Sequence, residues 1–289
     1  MHTVAGVMRM RAVLSLLMLA VMLVRPDQSA QAARQALRVW GLDVAPSLFP
    51  YMVLCRMVSA HLRRARIPAA PAAALLGVLG GSPAGASVLA AYGGSLSRST
   101  LLPLCALTGT ISPMFFLSTL SGWLRDTALC RQILAAHLAG AVLCALLLRA
   151  LAVRYSLPAP DACADAPAAA DPIAQSIQAI LSVGGCIVFF SVAADALQSF
   201  PFIGVRAGAI MHAALEAAGG IHALCVIPCG EPMRAVLIAS ASAFSGISIL
   251  SQNLVFLRPM GIGMKTLTSI ALLRAFLAGM TMSLLLLLR

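Results

Sequence analysis

Apolar runs long enough to cross a bilayer recur from one end of the chain to the other, and several are interrupted in mid-run by glycine, serine and proline. A spanning helix needs about 20 consecutive apolar residues, and Thr127 to Val153 and Leu267 to Leu288 supply them without a break. Of the 289 residues, 61% are hydrophobic and 10% are charged. Soluble domains carry about one quarter charged residues, so a soluble enzyme and a disordered chain are both excluded. Aromatic content of 5% is too low for the aromatic girdles of an outer-membrane barrel. The expected fold class is an all-α polytopic membrane protein.

The segments follow in a recognisable order. Residues 1–33 hold a short apolar run, Ala12 to Val24, preceded by Arg9 and Arg11 and followed by Arg25-Pro26. It reads as a transmembrane anchor. A cleaved signal peptide is the alternative, because Ser29-Ala30-Gln31-Ala32 has the small residues of a cleavage site. In residues 34–153, Gln35 to Ser59 is a span containing Pro46 and Pro50, ending at the basic cluster His61 to Arg66. Pro68 to Ser95 is broken by Gly80-Gly81-Ser82-Pro83-Ala84-Gly85, and each arm is too short to span, which predicts a re-entrant hairpin. Leu101 to Trp123 is broken by Thr108 to Pro113, and Thr127 to Val153 is plain.

Residues 154–172, with Pro158, Pro160, Pro167 and Pro172 among alanines and aspartates, form a linker. The order then recurs in residues 173–289. Ile173 to Gln198 is a span, Phe202 to Val226 is broken around Glu216 and Gly219-Gly220, Arg234 to Leu257 is broken at Ser245-Gly246-Ile247-Ser248, and Leu267 to Leu288 is plain. Pro83 and Gly219 are 136 residues apart, and Pro113 and Gly246 are 133 apart. The expectation is therefore about seven transmembrane helices plus two re-entrant hairpins, in two repeats of opposite orientation. Placing basic residues by this topology gives ten inside against eight outside, in the sense of the positive-inside rule.

The net charge of +11 sits singly at segment ends, which fits topology and lipid headgroups and excludes a nucleic-acid partner. The eight cysteines are scattered, and Cys225 and Cys229 have no nearby Cys/His pair to complete a metal site, so no metal, cofactor or disulfide framework is expected. No GxSxG, Walker A or HExxH pattern occurs, so no catalytic residue is expected and the chain is read as not an enzyme. Without a nucleotide-binding loop, transport would be passive or coupled to an ion gradient.

Paired broken helices are the best pointer to a transporter site, because unwound backbone is tolerated in a bilayer only where protein, water or solute meets it. The candidate substrate-binding residues are Gly81, Ser82, Gly85, Thr110 and Ser112 in one half, and Glu216, Gly219, Ser245, Gly246, Ser248 and Arg274 in the other. Glu216 and Arg274 are ionisable groups within apolar runs, where an unpaired charge is costly. Arg274 suits a carboxylate, either of the substrate or of Glu216. The plain alternatives are close helix packing for the glycines and a structural ion pair for the two charges. Asp43 and Asp195, His137 and His222 read as helix-end or interfacial residues, and Arg56 as snorkelling toward the basic cluster.

Four segments in fixed order, "VAPSLFPYMVL" (Val44 to Leu54), "GGSPAGAS" (Gly80 to Ser87), "LTGTISPMFF" (Leu107 to Phe116) and "SAFSGISILSQ" (Ser242 to Gln252), resemble those of sporulation integral membrane proteins of the YlbJ type, which carry the nucleoside-recognition (Gate) domain. The resemblance covers Leu37 to Leu288. It implies a fold related to concentrative nucleoside transporters and a role in endospore formation. It further implies movement of dipicolinic acid across the outer forespore membrane. It places Asp43, Pro46 and Pro50 in the first span, Gly81, Pro83 and Gly85 at the first hairpin tip, and Ser112-Pro113 in the first broken helix. Glu216 falls in the second hairpin, Ser245 to Gln252 in the second broken helix and Arg274 in the last span. Ser82 stands where an aromatic residue is usual, Ser87 where a lysine is common, and Thr110-Ile111 replaces an asparagine-rich stretch.

The leading expectation is a transporter of a small anionic solute, dipicolinic acid, in a lipid bilayer, working by movement of one repeat against the other. A nucleoside or nucleobase transporter is the alternative in the same fold, with Gln252 and Asn253 as amide ligands. A non-transporting scaffold that binds sporulation membrane partners through the linker is the alternative from another class. A homo-oligomer is compatible with each.

Overall fold

The computed structural model describes residues 15–16, 18–65, 68–92, 96–154, 171–198 and 203–288, and all regular elements among them are helical. A helix satisfies its backbone within its own segment, which a chain this apolar requires in lipid. Four helices are long and apolar enough to cross a membrane: Thr127–Ala152, Pro172–Gln198, Glu231–Met260 and Met264–Leu287. Their large apolar side chains also face outward, Leu146, Leu181, Phe189 and Phe276 all being more than half exposed. The described residues are thus all-helical and compatible with a helical membrane protein.

Among the described residues, four of the about seven spans expected from the sequence meet the requirement by length and composition. The run 101–123 divides into short helices, and the run 35–59 carries Asp43, Arg56 and prolines. Residues 1–14 of the N-terminal segment and 155–170 of the linker lie outside the described residues.

The first labelled helix, α1 (Pro26–Arg38), passes through a π-wound stretch, Val39–Val44, into α2 (Ala45–Arg64). The widened winding has a local cause. Pro46 offers no N–H to Leu42, and its ring crowds that carbonyl; the Ala45 N–H bonds instead to Trp40, five residues back. Two short helices follow, α3 (Ala69–Gly80) and α4 (Ala84–Tyr92), then α5 (Arg98–Thr108). Next come α6 (Phe115–Leu124), π-wound over its first six residues, and the long α7 (Thr127–Arg154). The second half holds α8 (Pro172–Gln198), a short pair α9 (Val205–Leu215) and α10 (Ala217–Val226), then α11 (Glu231–Phe244), α12 (Gly246–Leu257) and α13 (Met264–Leu287).

Helices α7 and α13 pack along each other at the centre, flanked by α5 and α11. Their crossing is tight: a Cβ on Gly140 would meet the backbone N of Ala278 at 2.8 Å, the close approach that small residues permit. Buried apolar side chains form two clusters, one toward each end of this bundle. One contains Phe116, Ile133, Ile238 and Met282, and the other contains Leu101, Cys144, Leu250 and Ile270. Between them lies a buried polar belt that includes Thr108, Thr110, His137, Ser242, Ser245 and Arg274. Arg274 is ten residues into α13, about 15 Å along it, or half the thickness of a bilayer's hydrocarbon core.

Candidate functional site

The belt exists because α5 stops there. Its last carbonyls, and those of Gly109 and Thr110 just past it, stand where the helical ladder ends. Each is met by a different device. The Cys105 carbonyl accepts the Gly109 N–H at 3.1 Å, and that of Leu107 accepts the Thr110 hydroxyl at 2.8 Å. The Ala106 carbonyl accepts Arg274 Nη1 at 3.0 Å. The Gly109 carbonyl accepts the Ser245 hydroxyl at 3.3 Å, joining the first break to the second. The Thr110 carbonyl accepts the Ser82 N–H at 2.7 Å, joining the first break to the tip of the α3–α4 pair.

That tip is built on Gly81, with φ +61° and ψ −176°, a conformation open only to glycine. A Cβ there would lie 2.8 Å from Ser112 Cα, so the missing side chain also sets the contact between tip and break. The Ser82–Pro83 peptide is cis. Asn253 of α12 donates to Ser82 Oγ at 3.0 Å. The second pair repeats the contact: Gly246, at φ +72°, brings the second break against Ala217, with a Cβ position 3.0 Å from its backbone N. Ser245 is left-handed as well, at φ 72°, and its hydroxyl bonds to Gly109 and Ser242 hold it there.

Glu216 interrupts the second pair, with extended backbone at φ −139° and ψ 123°. Its carboxyl caps α10, accepting Ala218 N–H at 2.8 Å and Gly219 N–H at 2.5 Å. The break therefore falls at Glu216 rather than at Gly219-Gly220. Those glycines lie inside α10, and Gly220 is where the arms touch, since a Cβ would collide with Ala213.

The Glu216–Arg274 ion pair, one of the alternatives the sequence left open, does not form: each is held by different partners, the carboxyl by helix N–H groups and the guanidinium by Ala106 and, at 3.5 Å, Ser245 Oγ. The reason is placement. Arg274 is a cation at the C-terminal end of α5, Glu216 an anion at the N-terminal start of α10, and both positions are favourable without a partner charge.

One chamber sits among these elements. Ser82 reaches it from the first pair, Glu216 and Ala218 from the second, Ser112 from the first break, and Ser248 and Gln252 from α12. It encloses about 50 Å³, room for a few waters, whereas small-molecule sites run to about 300–1,000 Å³. The side-chain oxygens Ser112 Oγ, Ser248 Oγ and Gln252 Oε1 are buried there without a protein partner. Of the residues expected from the sequence, Ser82, Ser112, Glu216 and Ser248 line the chamber. Gly81, Gly85, Thr110, Gly219, Ser245, Gly246 and Arg274 form its supporting contacts instead. Gly85, for example, admits the Thr108 and Gly77 carbonyls, 2.6 and 2.8 Å from its Cβ position.

The sequence reading missed other parts of the wall: Val44 at the end of the π-wound stretch, Ser47 and Leu48 at the start of α2, and Val183 and Ile187 from α8. Nothing in a plain apolar span marks two of its residues as facing a chamber. His137 was also misplaced by that reading. It is fully buried ten residues into α7, its ring 4.8 Å from that of Phe116. Asp43 is not a cap; it accepts the Trp123 indole N–H at 3.2 Å and so ties the start of α2 to the end of α6. Among the described residues, no group of His, Cys, Asp and Glu could hold a metal ion.

The chain matches no family model, no curated protein and no solved structure with which it was compared.

Proposed function

We propose that the chain is a membrane transporter of a small solute, and that its two short helix pairs are re-entrant hairpins belonging to two inverted repeats. One observation carries the reading: both pair tips and both helix breaks converge on one chamber in the buried polar belt. Broken helices that turn their freed backbone groups toward a cavity are the usual construction of a transporter site. In this reading Gly109 and Ser245 take equivalent places, as do His137 and Arg274, 136 and 137 residues apart. Admitting a solute to a chamber this small requires a tip to part from its break, beginning with the bond from Ser82 N–H to the Thr110 carbonyl.

The first candidate solute is dipicolinic acid, with the outer forespore membrane as the location, as the resemblance to YlbJ-type proteins implies. Chamber chemistry favours a second reading, a nucleoside or nucleobase. Ser47, Ser82, Ser112, Ser248, Gln252 and Glu216 line the chamber, and no arginine, lysine or histidine is among its described lining residues. Uptake of labelled dipicolinate and uridine by proteoliposomes, with Glu216→Gln as control, separates these. Dipicolinate uptake abolished by the substitution supports the first, and uridine uptake abolished by it supports the second. Uptake of neither by folded, inserted protein overturns the transport reading.

A further inference from the structure

A second, larger cavity of about 440 Å³ lies between α2, α4 and α8, apart from the central chamber. Its polar lining is Arg56, Ser59, Ser87, Gln175, Gln178 and Ser182. Arg56 is the one charged side chain among the described lining residues. Its Nη1 donates to Gln175 Oε1 at 2.8 Å, which fixes the plane of the guanidinium. Its Nε is buried and has no partner. The carboxylate nearest in sequence to Gln175, Asp171, does not line the cavity and accepts the Ile173 N–H at 3.0 Å.

A guanidinium held in a cavity without a counter-charge is costly unless its free donors are met. Its planar fork of N–H groups matches a carboxylate or a phosphate, two donors to two oxygens. Nearby hydroxyl and amide groups add further bonds, and the volume lies within the range of small-molecule sites. Arg274, by contrast, has its Nη1 committed to the α5 carbonyl and reaches no described cavity.

We propose that this cavity is an anion-binding site, in which Arg56 holds one carboxylate or phosphate group through the donors that Gln175 leaves free. The anion is either a free small molecule or the phosphate of a lipid headgroup. Binding at Arg56 needs no translocation, so it stands whether or not the chain transports.

Equilibrium binding to the purified full chain tests it, with benzoate, dipicolinate and inorganic phosphate as probes in nonionic detergent. Native mass spectrometry after reconstitution in phosphatidylglycerol or phosphatidylcholine provides the lipid arm. The variants are Arg56→Gln and Arg56→Lys, the second keeping the charge while removing the planar fork. Saturable binding of a probe, weakened about tenfold or more in Arg56→Gln and less in Arg56→Lys, is the expected result for a free anion. Retained phosphatidylglycerol, lost in Arg56→Gln, is the expected result for a lipid. Two results overturn the site: wild-type protein that binds neither probe nor phosphatidylglycerol, or folded Arg56→Gln that binds both as wild type does. Should Arg56→Gln fail to fold, Arg56→Lys decides, because unchanged binding without the guanidinium fork also overturns it.

Discussion

Replacing Arg274 with methionine separates two roles that the sequence leaves open, a substrate ligand and a brace for the broken helix. The side chain is 2% exposed. Its Nη1 meets the Ala106 carbonyl at 3.0 Å and its Nη2 reaches Ser245 Oγ at 3.5 Å. A hydrogen bond to a charged group contributes about 1.5–3 kcal/mol, and a buried carbonyl left unpartnered costs about 1–3 kcal/mol. Methionine fills most of the volume and removes a buried charge, which offsets part of the loss. The net expectation is a destabilisation of about 3 kcal/mol, which lowers the melting temperature by about 6–12 °C in a domain of this size. Arg274→Lys keeps the charge and one reachable donor, so it should lose less. The described cysteines are free and five are buried, so a thiol-reactive dye reads unfolding in detergent. Arg274→Met that melts within about 2 °C of wild type refutes the brace, and loss of uptake at unchanged stability would make Arg274 a ligand.

Four further outcomes are expected. Gly81→Ala forces a side chain into a glycine-only conformation and onto Ser112, so it should cost about 3 kcal/mol or more. Gly122→Ala, with nothing within 4 Å of its Cβ position, should be neutral or slightly stabilising, and the same dye melt compares the two. Glu216→Ala removes the cap of α10 and should cost about 1–2 kcal/mol; Glu216→Gln, which keeps an acceptor, should melt closer to wild type in that assay. Trp123→Phe loses the bond to Asp43 and should cost about 1 kcal/mol, read as a small downward shift of the melt.

How far the site was legible depends on where its signals lie in the chain. The interruptions at Gly81-Ser82-Pro83, at Gly109 to Ser112 and at Ser245 stand in the sequence as helix breakers inside apolar runs, and the helices end there. The interruption around Glu216 and Gly219-Gly220 was visible as a charge and two glycines in an apolar run, and the helix ends at Glu216 alone. Glycines at 219 and 220 look like breakers, whereas they serve the close approach of α9 and α10, a tertiary requirement. Arg274 was legible as a buried cation but not its partner, because the Ala106 carbonyl is 168 residues away and unremarkable in sequence.

The sequence by itself pointed to helices apolar enough to cross a membrane, because an apolar solvent leaves backbone groups no partner outside a helix, and the described residues are helical. It also determined where the long helices break. Only the tertiary structure decided what the breaks face: which carbonyl meets Arg274, that Glu216 caps its own helix, and that Ser82, Ser112, Glu216 and Ser248 share one chamber. Only it showed that Arg56, one arginine among many in the sequence, stands in a cavity with a buried donor unmet. The physical reason is range. Helix breaking is a property of a few adjacent residues, whereas satisfying a freed carbonyl or an unpaired guanidinium depends on groups that the fold alone brings within 3 Å.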